Sequence, residues 1–128
     1  MSTRIQLSSL KYNSWKENSE GYILSSNLMN WFYELYLTSE EERNDWRVSP
    51  ILADNLSDLP PCYMVTILSD ILRDEGRDYV SKLKEAGNDV EHIEYENAVH
   101  GFISWPLNIK ITKKAIEDIS KSIKKIVS

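Results

Sequence analysis

Asp70-Ile71-Leu72-Arg73-Asp74-Glu75-Gly76 and, beyond Gly87, Val99-His100-Gly101-Phe102 are the stretches whose reading decides the fold. Just ahead of Asp70 runs Tyr63-Met64-Val65-Thr66-Ile67-Leu68, short, apolar and rich in β-branched residues. A run of this kind reads as a strand covered on both faces, as in a parallel sheet. After the acidic stretch, Tyr79, Val80, Leu83 and Ala86 fall on one side of a helix, and Gly87 stands where a left-handed residue closes it. Asn88-Asp89 turns the chain into a second strand, Val90–Tyr95, whose Glu91 and Glu94 suggest a place near the sheet edge. Strand, helix and strand form one βαβ unit, expected to cross over right-handed.

Outward from this unit the pattern is simpler. Asp58-Leu59-Pro60-Pro61 is a stiff, extended entry to the first strand. The acidic Thr38–Asp45 segment reads as a short helical turn, ended by Arg47-Val48-Ser49-Pro50 because proline restricts the residue before it. Leu28, Met29, Trp31, Phe32, Leu35 and Tyr36 recur at helical spacing, with Ser25 or Ser26 as cap, and the stripe is read as core packing. Residues 1–25 are polar and poorly patterned, a loop or cap anchored by Tyr12, Trp15, Tyr22 and Ile23. A closing helix spans about residues 111–127, with Thr112 as a candidate cap and Ala115, Ile116, Ile119, Ile123, Ile126 and Val127 on its apolar face.

The 128 residues suit one domain or part of a larger one, and 41% apolar content supports a core. A net charge of −5 argues against nucleic acid as a partner, since phosphate binding needs a cationic surface. Lys110, Lys113, Lys114, Lys121, Lys124 and Lys125 run against that balance; they are read as the solvated face of the last helix, and no membrane partner is expected. A single cysteine, Cys62, excludes an internal disulfide and is read as packed and inert. With no leader-like or membrane-spanning run in the sequence, the expected location is cytoplasmic, unless a targeting region is carried outside this chain.

Asp70 and His100 are the candidate residues for chemistry. In open parallel sheets ligands gather beyond the carboxyl ends of the strands. Asp70 lies two residues past the first strand; His100 lies five past the second, beside Gly101. An imidazole is the natural proton shuttle near neutral pH, and a carboxylate behind it fixes its tautomer. Acid followed by histidine is also the rear part of a Ser…Asp…His order. Against this stand two plainer readings: a structural loop histidine, and Asp70 as a cap of the next helix. His92 and His100 are too few for a zinc site. Ser69 and Ser104 are read as loop hydroxyls. Trp105 is a candidate for a substrate pocket, and Trp15, Trp31 and Trp46 are read as packing.

The chain resembles the C-terminal part of the hormone-sensitive-lipase-like esterases of the α/β-hydrolase fold. The resemblance runs through Asn18-Ser19-Glu20-Gly21-Tyr22-Ile23-Leu24, Met29-x-Trp31-Phe32, Ser49-Pro50-Ile51-Leu52-Ala53-Asp54 and Leu59-Pro60-Pro61. Its most specific parts are Ser69 to Gly76 and Val99 to Phe102. It implies an α/β architecture: parallel strands with flanking helices plus part of a helical cap. Residues 1–128 would be a partial hydrolase domain, with cap and connecting helices over about 1–48 and a β-α-β-α core over 49–128. The resemblance makes Asp70 the triad acid and His100 the base of a carboxylic ester hydrolase acting on small-molecule or lipid esters, without cofactor or metal. Ile71 stands where the family usually has Pro. Asp74 and Glu75 match the motif but open a helix, where acids complement the macrodipole. The four glycines, at 21, 76, 87 and 101, build neither a Gly-x-Ser-x-Gly elbow nor a His-Gly-Gly oxyanion motif. The nucleophile is therefore expected outside this chain. The alternative expectation is a catalytically inactive fragment that assembles with a partner, or with itself as a homo-oligomer, through an exposed sheet edge.

Overall fold

Every element of the βαβ unit forms. In the computed structural model, which describes residues 11–39 and 41–128, the chain runs α1 (Asn13–Glu17), α2 (Ser26–Tyr36), β1 (Cys62–Ser69), α3 (Arg73–Glu85), β2 (Val90–Val99) and α4 (Lys110–Val127). Short 3-10 turns stand at Glu41–Asn44, Pro50–Leu52 and Phe102–Ser104. The readings made on residues 1–10 lie outside the described residues.

The strands pair in parallel from Cys62↔Val90 to Ile67↔Tyr95, after which the register slips and Ser69 pairs with Val99. β2 therefore runs four residues beyond the expected end at Tyr95. His100 is the first residue after the strand rather than the fifth. The extension was hidden because Glu96 and Asn97 break the apolar pattern; both are exposed, while Ala98 is buried.

Pleating divides the sheet into two faces. Ile67 and Tyr95 join Ala98, Phe102 and Ala115 of α4 in one core cluster, with Val65, Ile93, Trp105 and Ile111 packed around it. On the other face Thr66 lies under α3, where a side-chain carbon at Gly76 would come within 2.9 Å of its methyl. A second cluster joins Trp15, Leu24 and Ile71, with Leu28, Met29, Tyr33 and Leu72 against it. Gly87 takes φ +87° after α3, as a left-handed helix end requires.

Three local expectations change. Residues 13–17 are helical rather than loop. Ser25 is the cap of α2, accepting from the Leu28 N–H at 3.2 Å, but Trp31, Phe32, Leu35 and Tyr36 are exposed, and only Leu28, Met29 and Tyr33 of that helix pack inward. The apolar residues circle too much of α2 for a single neighbour to cover them. Thr112 does not cap α4; it is fully buried in the first turn and donates to the Phe102 carbonyl at 3.0 Å. Ile123, Ile126 and Val127 are also exposed, because two strands offer α4 too little sheet to cover its whole stripe.

Thr66 is held by its hydroxyl to His92 and Glu94, so its methyl has little freedom to retreat from position 76. Gly76→Ala is expected to lower stability in denaturant melts, although alanine gains about 1 kcal/mol in helix propensity. In a Thr66→Ser background, which removes the methyl and keeps the hydroxyl, the same change is expected to be stabilising.

Candidate active site

Asp70 follows the last residue of β1, and its carboxylate is buried, with a side-chain exposure of 8%. One oxygen accepts the backbone N–H of Leu72 at 2.9 Å. The other meets Nδ1 of His100 at 2.9 Å. An ionised carboxylate only accepts, so Nδ1 donates and Nε2 is left as the basic nitrogen. The contact with an imidazole is made by one oxygen; the alternative of Asp70 as a cap of the next helix is not met, because Leu72 stands at the N-cap of α3 and the other oxygen takes the N–H of Leu72 itself.

His100 is held from the other strand. The register slip pairs Ser69 with Val99, so Asp70 and His100 are the next residues on neighbouring strands. Gly101 at φ +80° then turns the chain sharply into the Phe102–Ser104 turn, and Phe102, 1% exposed, anchors that turn in the core. The His100 side chain stays 44% exposed, and Nε2 has no hydrogen-bond partner among the described residues.

Both residues border an apolar cavity of about 580 Å³. Its walls include Met29 and Tyr33 of α2, residues 64–67 of β1, and Glu75 and Tyr79 of α3. Among the described residues β1 pairs only with β2, so its other edge is open on this side. Trp105 packs instead against the Phe102–Ala115 cluster, while Ile103 and Ser104 reach the cavity. Neither Ser69 nor Ser104 hydrogen-bonds to His100 among the described contacts. Among the described residues no three His, Cys, Asp or Glu side chains are grouped as a metal site. Burial pushes the Cys62 thiol up, away from the thiolate a nucleophile needs.

The acidic pair after Asp70 divides. Asp74 bonds Arg73 Nε at 2.8 Å and the Ser14 N–H at 2.8 Å, and the Arg73 guanidinium holds its carboxyl below the usual range. Glu75, read as a structural acid at the helix start, lines the cavity, and burial raises its pKa. Sequence reading missed Ser14, Glu17 and Asn18, whose i, i+3, i+4 spacing on α1 was the available signal.

Residues 4–104 match the family described as alpha/beta hydrolase fold. Carboxylic ester hydrolase LipN of Mycobacterium tuberculosis is 36% identical over 85 residues, 66% of this chain and 23% of that protein. An arylesterase of Saccharolobus solfataricus is 31% identical over 103 residues, 80% of this chain and 33% of its own. Among solved structures, a fungal esterase from Rhizomucor miehei superposes with a TM-score of 0.86 at 38% identity, covering 92% of this chain and 38% of the esterase. The carboxylesterase EstE1 from a metagenomic library gives 0.87 at 35% identity, covering 91% and 40%. The chain belongs to the α/β-hydrolase fold family, in its hormone-sensitive-lipase-like esterase branch. It spans about a quarter to two-fifths of the lengths of these relatives.

Glu75 and Asp74 should act oppositely on stability as pH changes. Glu75 has a folded pKa above the ordinary 4.5, so the folded state holds its proton more tightly; the resulting stability is complete below that value and is lost as pH rises through the raised one. Asp74 has a folded pKa below 3.8, so its contribution is present above that value and is lost as pH falls through the lowered one. Thermal melts should therefore show Glu75→Gln raising the melting temperature at neutral pH, with the gap closing toward pH 4. Asp74→Asn should lower it at neutral pH.

Proposed function

We propose that this chain supplies the acid and base of a serine carboxylic ester hydrolase, with Asp70 and His100 in those roles and small-molecule or lipid esters as substrates. The observation that carries this reading is the 2.9 Å contact between a buried carboxylate and the Nδ1 of a half-exposed imidazole at the rim of an apolar cavity. The four relatives named above carry the names of ester hydrolases, which supports the same class.

In this mechanism Nε2 of His100 takes the proton of a serine hydroxyl as its oxygen attacks the ester carbonyl. The imidazolium formed is stabilised by the Asp70 carboxylate, which keeps Nδ1–H directed at itself. His100 then gives the proton to the departing alcohol, leaving an acyl-serine. Water repeats the sequence: His100 removes its proton, the acid is released, and the serine oxygen regains hydrogen. No two glycines in these 128 residues are four apart, so on this reading the attacking serine would be supplied from outside them.

A second reading has its own observation. Among the described residues β1 has one edge without a strand partner, and Trp31, Leu35, Tyr36 and Val127 are exposed; both favour assembly with another chain. Turnover separates the two.

The 128-residue chain alone is expected to leave p-nitrophenyl butyrate unhydrolysed and to take no label from a fluorophosphonate. Joined in one polypeptide to the N-terminal part of the Rhizomucor miehei esterase, it should gain turnover. His100→Ala should lower kcat of that folded chimera by about 10⁶-fold and Asp70→Asn by about 10⁴-fold. A chimera indifferent to both changes would overturn the assignment.

A further inference from the structure

We infer that α1 is a positioning device for the acid: Ser14 and Asn18 hold the turn that carries Asp70, and through it the tautomer of His100. This rests on the reading of Asp70 and His100 as acid and base.

The argument begins with the turn itself. Between β1 and α3 the chain changes direction over Asp70, Ile71 and Leu72, and these residues are outside both regular elements. Burial of Asp70 and Ile71, 7% and 2% exposed, leaves their carbonyls dependent on protein partners. The Asp70 carbonyl accepts the Arg73 N–H at 3.2 Å, and the side-chain partners come from α1 and its C-terminal cap, Asn18. Asn18 Nδ2 donates to the Asp70 carbonyl at 3.1 Å, and Ser14 Oγ donates to the Ile71 carbonyl at 2.9 Å. The Asp74 N–H in turn donates to Ser14 Oγ at 3.2 Å, and the Ser14 N–H to the Asp74 carboxylate. One turn along the same face, Glu17 receives Arg73 Nη2 at 2.7 Å, while Arg73 Nη1 donates to the Leu68 carbonyl near the end of β1.

Ser14 and Asn18 are themselves almost inaccessible, at 0% and 4%, so water cannot stand in for either side chain. With both carboxylate oxygens engaged, a shift of the Asp70 backbone is felt at the His100 contact, and the Asp70 carbonyl meets Asn18 Nδ2 at the end of α1. Removing Ser14 Oγ takes the side-chain donor from the buried Ile71 carbonyl, and removing Asn18 Nδ2 leaves the Asp70 carbonyl with the Arg73 N–H alone, so the turn is expected to relax. Such movement shifts Oδ2 relative to Nδ1 and releases the imidazole from its Nδ1–H form. The segment just ahead of α1 is also tied to α3, by Lys11 and Tyr12 to Asp78, at 3.2 and 2.6 Å.

The test uses the 128-residue chain and needs no turnover. Long-range proton–nitrogen NMR on labelled protein, above the pH at which imidazole is charged, reads which ring nitrogen of His100 carries hydrogen. The native chain is expected to show Nδ1–H and Asp70→Ala to lose it. Asn18→Ala and Ser14→Ala should lower the ratio of Nδ1–H to Nε2–H by roughly two- to tenfold, the effect of losing one buried hydrogen bond. Ser14→Thr, which keeps the hydroxyl, should restore the native ratio. Folded Asn18→Ala and Ser14→Ala variants with native His100 spectra would overturn the positioning role while leaving the pair intact. Unfolding of both variants would also count against it, since general stabilisation would then suffice. An unchanged spectrum in Asp70→Ala would instead overturn the acid–base reading.

Discussion

The arrangement turns on how the Asp70 carboxylate is satisfied. A carboxylate taken out of water needs an acceptor's full set of partners close at hand, or it is too costly to keep ionised. Here one oxygen takes the Leu72 N–H and the other the imidazole of His100. The first contact obliges β1 to end at Ser69 and the chain to bend into α3 within three residues. The second obliges β2 to deliver His100 at the same level of the sheet, which it does through the slip that pairs Ser69 with Val99.

A second polar system stabilises the sheet beneath α3. The Thr66 hydroxyl donates to Glu94 at 2.9 Å and so accepts from Nε2 of His92 at 2.8 Å. Arg77 of α3 completes the group by pairing with both oxygens of Glu94, and its guanidinium lowers the Glu94 pKa. Burial lowers that of His92, favouring the neutral ring this network requires. Each member has a partner, the condition under which a buried polar group rigidifies rather than destabilises. The opposite face is apolar at its centre, where the Tyr95 hydroxyl reaches Asp118 of α4 at 3.0 Å, and polar toward the start of β2, where Glu91 accepts from Ser122 of α4 at 3.3 Å. The two faces therefore bind their helices by different forces, and rotating a strand by one residue would place charge in the α4 core.

Much of this was legible in the residue order. The run Tyr63–Leu68, the period of Tyr79, Val80, Leu83 and Ala86, and Gly87 each encode a local preference that tertiary contacts reinforced. Asp70 and His100 were legible because chemistry at strand ends draws on few residue types. Less legible were features that depend on a distant neighbour. Thr112 resembles a cap in sequence, but the nearby Phe102 carbonyl takes its hydroxyl. Glu94 looks like an edge residue until Arg77 is seen above it. Trp105 suggested a pocket wall and packs beside Phe102.

By itself, the order of amino acids determined the βαβ core and the closing helix, and that an acid and an imidazole follow its two strands. Those properties follow from side-chain shape and from patterns a few residues long. Tertiary structure alone decided that β2 continues past Glu96 and Asn97, that its register slips, and that Ser14 and Asn18 reach the carbonyls of the Asp70 turn. Each of these joins groups far apart in the chain, and their energy exists only once the intervening segments have packed.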